Sequence, residues 1–154
     1  MGYLLDVWGE GRIYADGNVT GFTDATNLNH KNQRISNGID RGKSIPNLIS
    51  VDDYENPKFP INDREYNYIT LMGSPISRGT AREMCRVLNP DRGVIYLYDP
   101  SSDHNANFRS EASQFSVFFR KRVFIRDLGS PFNEIKLLQE DVFIYTWGKE
   151  HDEL

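Results

Sequence analysis

The segment from Tyr66 to Pro100 constrains the fold more than any other part of the sequence. It contains an apolar strand pattern at 68–72, a polar turn, an amphipathic helical pattern and a second apolar strand pattern at 94–98. Two strands joined through one helix are parallel neighbours in a sheet that helices cover. Ligands of such sheets bind beyond the carboxyl ends of the strands. The sequence therefore predicts a site near Gly73-Ser74-Pro75 and Asp99-Pro100.

The helix inside this segment is marked by its ends and by its apolar face. Ser77 is the expected N-cap, and the turn 89–93 ends the helix, with Gly93 allowing the chain to reverse. Spacings of three and four residues place the apolar side chains on one face: Ala81, Met84, Cys85 and Leu88. A stripe of arginines runs beside that face: Arg78, Arg82 and Arg86. Such a stripe favours a solvated surface over a phosphate-binding track.

Length and composition limit the classes of protein that fit. The 154 residues suit one domain, 1–154, and the net charge of −4 argues against general attraction to nucleic acid or membrane. The basic residues of the last third still leave a local anionic partner open. The sequence has no membrane-spanning run and no metal-ligand spacing among its three histidines. A single cysteine fits a reducing, cytoplasmic location, and the terminal His-Asp-Glu-Leu is interpreted as a coincidental match to a retention signal.

The other elements are predicted from apolar runs and turn residues. Strands are expected at 4–8, 21–29 and 45–51, and a helix at 105–121. Two closing strands, 123–126 and 142–147, have no full crossover helix between them, which predicts an antiparallel pair at a sheet edge. The short connection after the first strand leaves no room for a good crossover helix there.

Three stretches resemble class I methyltransferases that use S-adenosylmethionine. They are the acidic and Phe-Pro-containing run 53–60, the strand start 66–69, and the helix-to-strand run AREMCRVLNPDRGVI at 81–95. The resemblance implies a three-layer, Rossmann-like α/β sheet. That sheet would be mostly parallel, with an antiparallel C-terminal strand pair and a reduced N-terminal part.

The resemblance also implies a set of site residues. Six residues match cofactor-binding positions: Asp6, Gly9, Gly11, Asn27, Asp53 and Gly73. Asp52 is the alternative acceptor for the adenine amino group beside Asp53. The three glycine positions after the first strand are filled by Trp8, Glu10 and Arg12 in one register, although Gly9 and Gly11 could serve in a shifted one. Catalytic roles are expected for Glu10, Arg12 and Ser74, with Ser74 also placed near the cofactor.

Alternatives remain open for these residues and for the function. Asp6, Glu10 and Arg12 also fit a surface ion pair, Asp53 a solvated turn and Ser74 a helix cap. A second polar group, Asp99, Asp103 and His104, follows the fifth strand and could place a histidine base. The rival function is a non-enzymatic interaction module or a bacterial toxin-like effector, bound by a neutralising, immunity-type protein. A start directly before a core strand would fit an excised module.

Overall fold

A seven-stranded sheet organises the computed structural model, which describes residues 3–12, 22, 24–73, 75–135 and 141–150. Its strands are β1 (Leu4–Val7), β2 (Thr26–His30), β3 (Leu48–Val51), β4 (Tyr68–Met72), β5 (Val94–Tyr98), β6 (Val117–Phe124) and β7 (Asp141–Trp147). Their order in the sheet is β3-β2-β1-β4-β5-β7-β6. Strands β1 to β5 are parallel to one another, whereas β7 is antiparallel to both β5 and β6.

Two α-helices follow the central strands. Helix α1 (Arg78–Arg86) connects β4 to β5, and helix α2 (Ser102–Ser113) follows β5. Each begins with a serine whose hydroxyl accepts a hydrogen bond from a backbone amide: Ser77 from Thr80 and Ser101 from His104, both at 3.1 Å. The predicted N-cap at Ser77 is therefore confirmed. Neither described helix has the length and apolarity needed to cross a lipid bilayer.

The alternation of side chains along the strands divides the core between the two faces of the sheet. On β5, Ile95 and Leu97 pack in the cluster that contains Met84 of α1 and Phe108 of α2. The opposite face packs against Phe22 and the segment 125–135, which begins with a 3₁₀ turn. Both described helices thus lie on one face. The predicted fold class, a mostly parallel covered sheet with an antiparallel terminal pair and a reduced N-terminal part, is confirmed.

The predicted helix at 105–121 is wrong over its second half. Helix α2 ends at Ser113, and β6 takes up Val117 to Phe124. The apolar residues from Phe108 to Phe119 fit a helical spacing, but the aromatic and β-branched part pairs along β7 instead. Tertiary strand pairing therefore overrides the local pattern. The prediction of a missing first crossover helix falls largely on residues 13–21 and 23, which lie outside the described residues.

The arginine stripe of α1 is held in ion pairs. Glu111 of α2, only 5% exposed, contacts both Arg78, at 3.6 Å, and Arg82, at 3.1 Å. Arg86 pairs with Glu83 and Asp63, each at 2.6 Å. The stripe therefore ties α1 to its surroundings, in agreement with a structural role rather than a phosphate-binding one.

The turn before β5 gives a direct test of this fold. A Cβ atom at Gly93 would lie 2.2 Å from the carbonyl oxygen of Asn89 and 2.5 Å from the side chain of Leu88. We expect Gly93→Ala to lower the free energy of unfolding by about 1–3 kcal/mol, because backbone must move to admit the methyl group. Urea denaturation measures the change.

Gly129→Ala is the matched control, since a Cβ atom there meets nothing within 4 Å. Its free energy of unfolding should stay within about 0.5 kcal/mol of the parent value. Equal effects of the two substitutions would contradict the packing of this turn.

Candidate functional site

The turn that follows β1 has left-handed backbone conformations, which favour glycine, but two of these positions carry large side chains. Trp8 and Arg12 adopt left-handed conformations, with φ of 59° and 57°, and Gly11 has φ of 84°. An L-residue in this region costs roughly 1–2 kcal/mol, whereas glycine avoids that cost. Two of the three positions that the sequence analysis matched to glycines thus keep the conformation that glycine favours.

Gly9 allows this turn to cross closely over the sheet. A Cβ atom on Gly9 would lie 2.2 Å from Asp6 Oδ2 and 2.6 Å from Asn27 Oδ1. Such separations are shorter than any real contact of a Cβ atom. The absence of a side chain at Gly9 therefore lets the turn close over two buried polar residues.

A buried ion pair lies beneath the turn. Arg12 Nη2 donates to Asp6 Oδ1 at 2.5 Å, and the Thr70 hydroxyl donates to the same oxygen at 2.9 Å. The side chains of Arg12 and Asp6 are 8% and 0% exposed. Burial raises the pKa of Asp6, and the guanidinium and the hydroxyl act in the opposite direction. Asp6 Oδ2 and Arg12 Nε have no hydrogen-bond partner within the described part of the chain.

Asn27, on the neighbouring strand β2, also holds this turn through hydrogen bonds of its side chain. It is the second residue of β2 and lies opposite Asp6 in the parallel pairing of β1 and β2. Its Oδ1 accepts a hydrogen bond from the Gly11 amide at 3.3 Å, and its Nδ2 donates to the Pro46 carbonyl at 2.8 Å. The side-chain amide is thus held by backbone groups of two loops.

A cavity of about 360 Å³ opens at the carboxyl ends of β1, β2 and β3. Its volume lies within the range of about 300–1,000 Å³ that is usual for small-molecule sites. Every lining residue is one of the last two residues of a parallel strand or follows such a strand: Trp8, Glu10, Asn29, His30, Gln33, Val51, Asp52, Tyr54 and Pro75. The cavity therefore occupies the edge at which sheets of this kind bind ligands.

Two aromatic rings form part of the cavity wall. The centroids of Trp8 and Tyr54 are 4.9 Å apart, with an angle of 39° between the ring planes. The Tyr54 hydroxyl donates a hydrogen bond to the Pro75 carbonyl, which joins the loop after β3 to the loop after β4. Burial raises the pKa of the Tyr54 phenol above its ordinary value. The Trp8 indole Nε1 has no partner among the residues described.

The two adjacent aspartates after β3 have different surroundings. The Asp53 carboxylate accepts hydrogen bonds from the amides of Glu55, at 2.9 Å, and Asn56, at 3.2 Å. Asp52 lines the cavity, and its carboxylate has no hydrogen bond or ion pair with any described residue. Asp53 thus stabilises the turn, while Asp52 is available to a ligand.

Glu10 links the cavity to the segment 31–44. Its carboxylate accepts hydrogen bonds from the Ser36 amide, at 2.7 Å, from the Ser36 hydroxyl, at 2.9 Å, and from Gln33 Nε2, at 3.3 Å. On the same side, His30 Nδ1 accepts from the Asn32 amide at 3.2 Å, which places the hydrogen of a neutral imidazole on Nε2. The cavity thus contains two carboxylates, an imidazole donor and two aromatic rings.

A larger cavity of about 520 Å³ lies beside α1 but is less suited to chemistry. The charged residues in its lining include Arg82 and Arg86, which are held by Glu111, Glu83 and Asp63. Its walls are the segment 56–61 and the helix rather than strand ends. Within the described ranges, no cluster of three or more His, Cys, Asp or Glu could hold a metal ion.

Comparisons with known proteins bear on the fold alone. No protein-family model and no curated protein matches the sequence. One similar solved structure is a TehB-like SAM-dependent methyltransferase from Corynebacterium glutamicum, with a TM-score of 0.53, 15% identity, and coverage of 96% of this chain and 80% of that chain. A SAM-dependent methyltransferase from Methanosarcina mazei has a TM-score of 0.53 and 12% identity, over 96% of this chain and 93% of that one. The chain has a class I methyltransferase-like fold.

A third similar structure contains a protein partner. It is a complex between the Haloferax volcanii Trm112 methyltransferase activator and a candidate methyltransferase. The TM-score is 0.54 at 11% identity, and the match covers 99% of this chain and 84% of that chain. These three structures lend no support to a relation with bacterial toxin modules.

Within this methyltransferase-like fold, the predicted site residues separate into two groups. Asp6, Gly9, Gly11, Arg12 and Asn27 come together in the turn after β1, beneath the cavity. Glu10 lines the cavity itself. Gly73 follows β4 with φ of 67°, and Ser74 lies outside the described residues. Asp53 is not among the lining residues of the cavity, although its neighbour Asp52 is. The roles assigned to these residues stay predictions.

Sequence reasoning did not identify several residues of this cavity. Tyr54, Asn29 and Gln33 line it, although none was proposed as a site residue. Tyr54 could have been suspected, because an aromatic residue directly after a strand-end acid lies at the ligand edge of a parallel sheet. The predicted alternative group of Asp99, Asp103 and His104 does not contribute to the cavity lining.

The buried ion pair can be tested by removing one partner. We expect Arg12→Met to lower the free energy of unfolding by about 3–5 kcal/mol, because the Asp6 carboxylate would stay buried without its counter-ion. The double variant Asp6→Leu/Arg12→Met should recover most of that loss. Chemical denaturation of the three proteins measures both effects.

Lys43→Met provides the control, because Lys43 pairs with Asp40 at 2.9 Å and is 70% exposed. Its loss should stay below about 1 kcal/mol. If Arg12→Met costs no more than Lys43→Met, the Asp6–Arg12 pair does not stabilise the turn.

Proposed function

We propose that this chain binds S-adenosylmethionine or a related adenine nucleoside in the 360 Å³ cavity. The observation that supports the proposal most is the position of that cavity at the ends of β1, β2 and β3, beside the loop after β4. An unpaired carboxylate and two aromatic rings meet there, which are groups that suit a purine. The similar methyltransferase structures support the same ligand.

Each lining group has a role that follows from its chemistry. We place the acceptor for the adenine amino group at Asp52 rather than at Asp53, which the resemblance favoured, because the Asp53 carboxylate already accepts hydrogen bonds from its own turn. Trp8 and Tyr54 pack against the purine. The His30 Nε2 hydrogen is suited to a ribose hydroxyl, whereas the Asn29 amide group is bonded to the Gly9 carbonyl and the His30 amide.

The residues beneath the cavity position the turn. Asp6, Gly9, Gly11, Arg12 and Asn27 hold Trp8 and Glu10 at the cavity wall. We assign Arg12 a positioning role, because its guanidinium is buried against Asp6. Gly73 follows β4, where its backbone would meet the reacting end of the ligand. The catalytic role of Ser74 stays a prediction.

Methyl transfer is the reaction that this arrangement suits. When bound, S-adenosylmethionine supplies an electrophilic methyl group. The chain's own residues would bind the nucleoside and align the methyl group with an acceptor, which is chemistry that needs little acid-base assistance. Glu10 is the group best placed to accept a proton from an acceptor, since its carboxylate lies in the cavity wall.

A protein partner and a cytoplasmic location are also part of the proposal. The complex with the Trm112 activator shows that a protein with a similar fold can be bound by another protein. The alternative function, an interaction or toxin-like module without a cofactor, draws on the large side chains at the predicted glycine positions. Ligand titration separates the two functions.

The adjacent aspartates provide a matched pair for that titration. We expect isothermal titration with S-adenosylmethionine and S-adenosylhomocysteine to give saturable binding to the parent protein. Asp52→Ala should weaken binding about ten- to a hundredfold, because a hydrogen bond to a charged acceptor contributes about 1.5–3 kcal/mol. Asp53→Ala should leave the dissociation constant within about twofold, since Asp53 bonds only to the backbone of its own turn.

No heat at millimolar concentrations of either ligand, with a folded parent protein, would refute the proposed function. Equal losses in the two variants would show that the pair acts through the turn rather than through the ligand.

A further inference from the structure

The charges around the cavity have one sign. Glu10 and Asp52 contribute two carboxylates to the lining, and no lysine or arginine is among the nine lining residues. Arg12 lies two residues beyond Glu10, but its guanidinium is 8% exposed and is paired with Asp6 beneath the turn. An anionic group of a ligand would therefore meet like charges and no counter-ion among the lining residues.

The aromatic rings of the cavity wall also favour a positively charged ligand. Trp8 and Tyr54 both line the cavity, and tryptophan and tyrosine rings attract cations through their electron-rich faces. The carboxylates and the electron-rich rings both make the electrostatic potential of the cavity more negative, which favours a positively charged ligand.

We infer that this cavity selects its nucleoside by charge: it binds a sulfonium nucleoside more tightly than the neutral thioether, and it rejects nucleoside phosphates. This inference rests on the proposed function and adds to it the charge class of the ligand. During methyl transfer the S–CH₃ bond breaks and its electron pair remains on sulfur, while the lone pair of the acceptor forms the new bond. The product loses the positive charge, and its affinity for the cavity falls.

The sharpest probes differ in charge and are nearly equal in size. 5′-Methylthioadenosine is neutral, and its S-methyl sulfonium derivative carries one positive charge with only one methyl group more. Neither has an amino-acid tail, so their comparison isolates the charge at sulfur. We expect the sulfonium to bind about tenfold more tightly at pH 8 and low ionic strength. Adenosine 5′-monophosphate should not bind at millimolar concentration.

Two variants test whether Glu10 and Asp52 cause this preference. Glu10→Gln/Asp52→Asn removes both charges but keeps oxygen acceptors, and it should reduce the affinity ratio to about twofold or less. Asp53→Asn removes an adjacent charge outside the lining and should keep the ratio. If the double variant does not fold, the parent protein still gives a result. Its ratio should fall as salt is raised from 20 mM to 500 mM, since salt screens partly exposed charges.

The outcomes separate this inference from the proposed function. Binding of both probes with equal affinity, or tighter binding of the neutral thioether, would overturn charge selection while nucleoside binding stands. A ratio that is the same in the double variant and at high salt would also overturn it. Binding of neither probe, nor of S-adenosylmethionine, would refute the proposed function itself.

Discussion

The buried ion pair between Asp6 and Arg12 is the interaction on which the site depends. It joins the turn after β1 to the sheet, because Arg12 belongs to the turn and Asp6 to β1. The neighbouring strand β4 contributes the Thr70 hydroxyl, which donates to the same carboxylate oxygen. Gly9 makes the crossing sterically feasible, and Asn27 fixes the Gly11 amide from the other side. These contacts fix the backbone of the turn, and Trp8 and Glu10 of the same turn line the cavity.

This arrangement explains how a turn can carry large side chains and still have backbone conformations that glycine favours. The left-handed conformations of Trp8 and Arg12 carry a backbone cost, but each side chain gains interactions that offset it. Arg12 gains a buried counter-ion, and Trp8 gains contact with Tyr54. The side chains of this turn also set the charge of the cavity wall. The guanidinium of Arg12 is buried against Asp6, whereas the carboxylate of Glu10 lines the cavity.

The sequence allowed much of the fold to be predicted, because the central unit is locally encoded. Strands β4 and β5 and helix α1 have clear apolar periods and end in turn residues, and the structure has them where the pattern placed them. The end of α2 could not be predicted, since Phe115 to Phe119 fit a helical spacing and only their pairing with β7 decides in favour of a strand. The start of β2 was placed too early for a related reason: its position depends on pairing with β1 and β3.

The site was less accessible to sequence reasoning than the fold. Sequence alone identified Asp6, Glu10 and Arg12 as neighbours at the end of β1 and after it, but only the structure separates the buried pair from Glu10, which is half-buried at the cavity wall. Asp52 and Asp53 are adjacent and chemically alike, so their order of importance depends on which carboxylate caps the turn. Contacts across loops, such as that between Trp8 and Tyr54, have no local signature.

The two tryptophans allow one direct measurement of ligand binding in this cavity. Trp8 lines the cavity, whereas Trp147 is 51% exposed at the opposite end of the strands. In a ¹H–¹⁵N correlation spectrum, the indole N–H signal of Trp8 should shift saturably as S-adenosylmethionine is added, while that of Trp147 stays in place. If the Trp8 signal does not move at millimolar ligand, or if both signals move together without saturation, the cavity is not the nucleoside site.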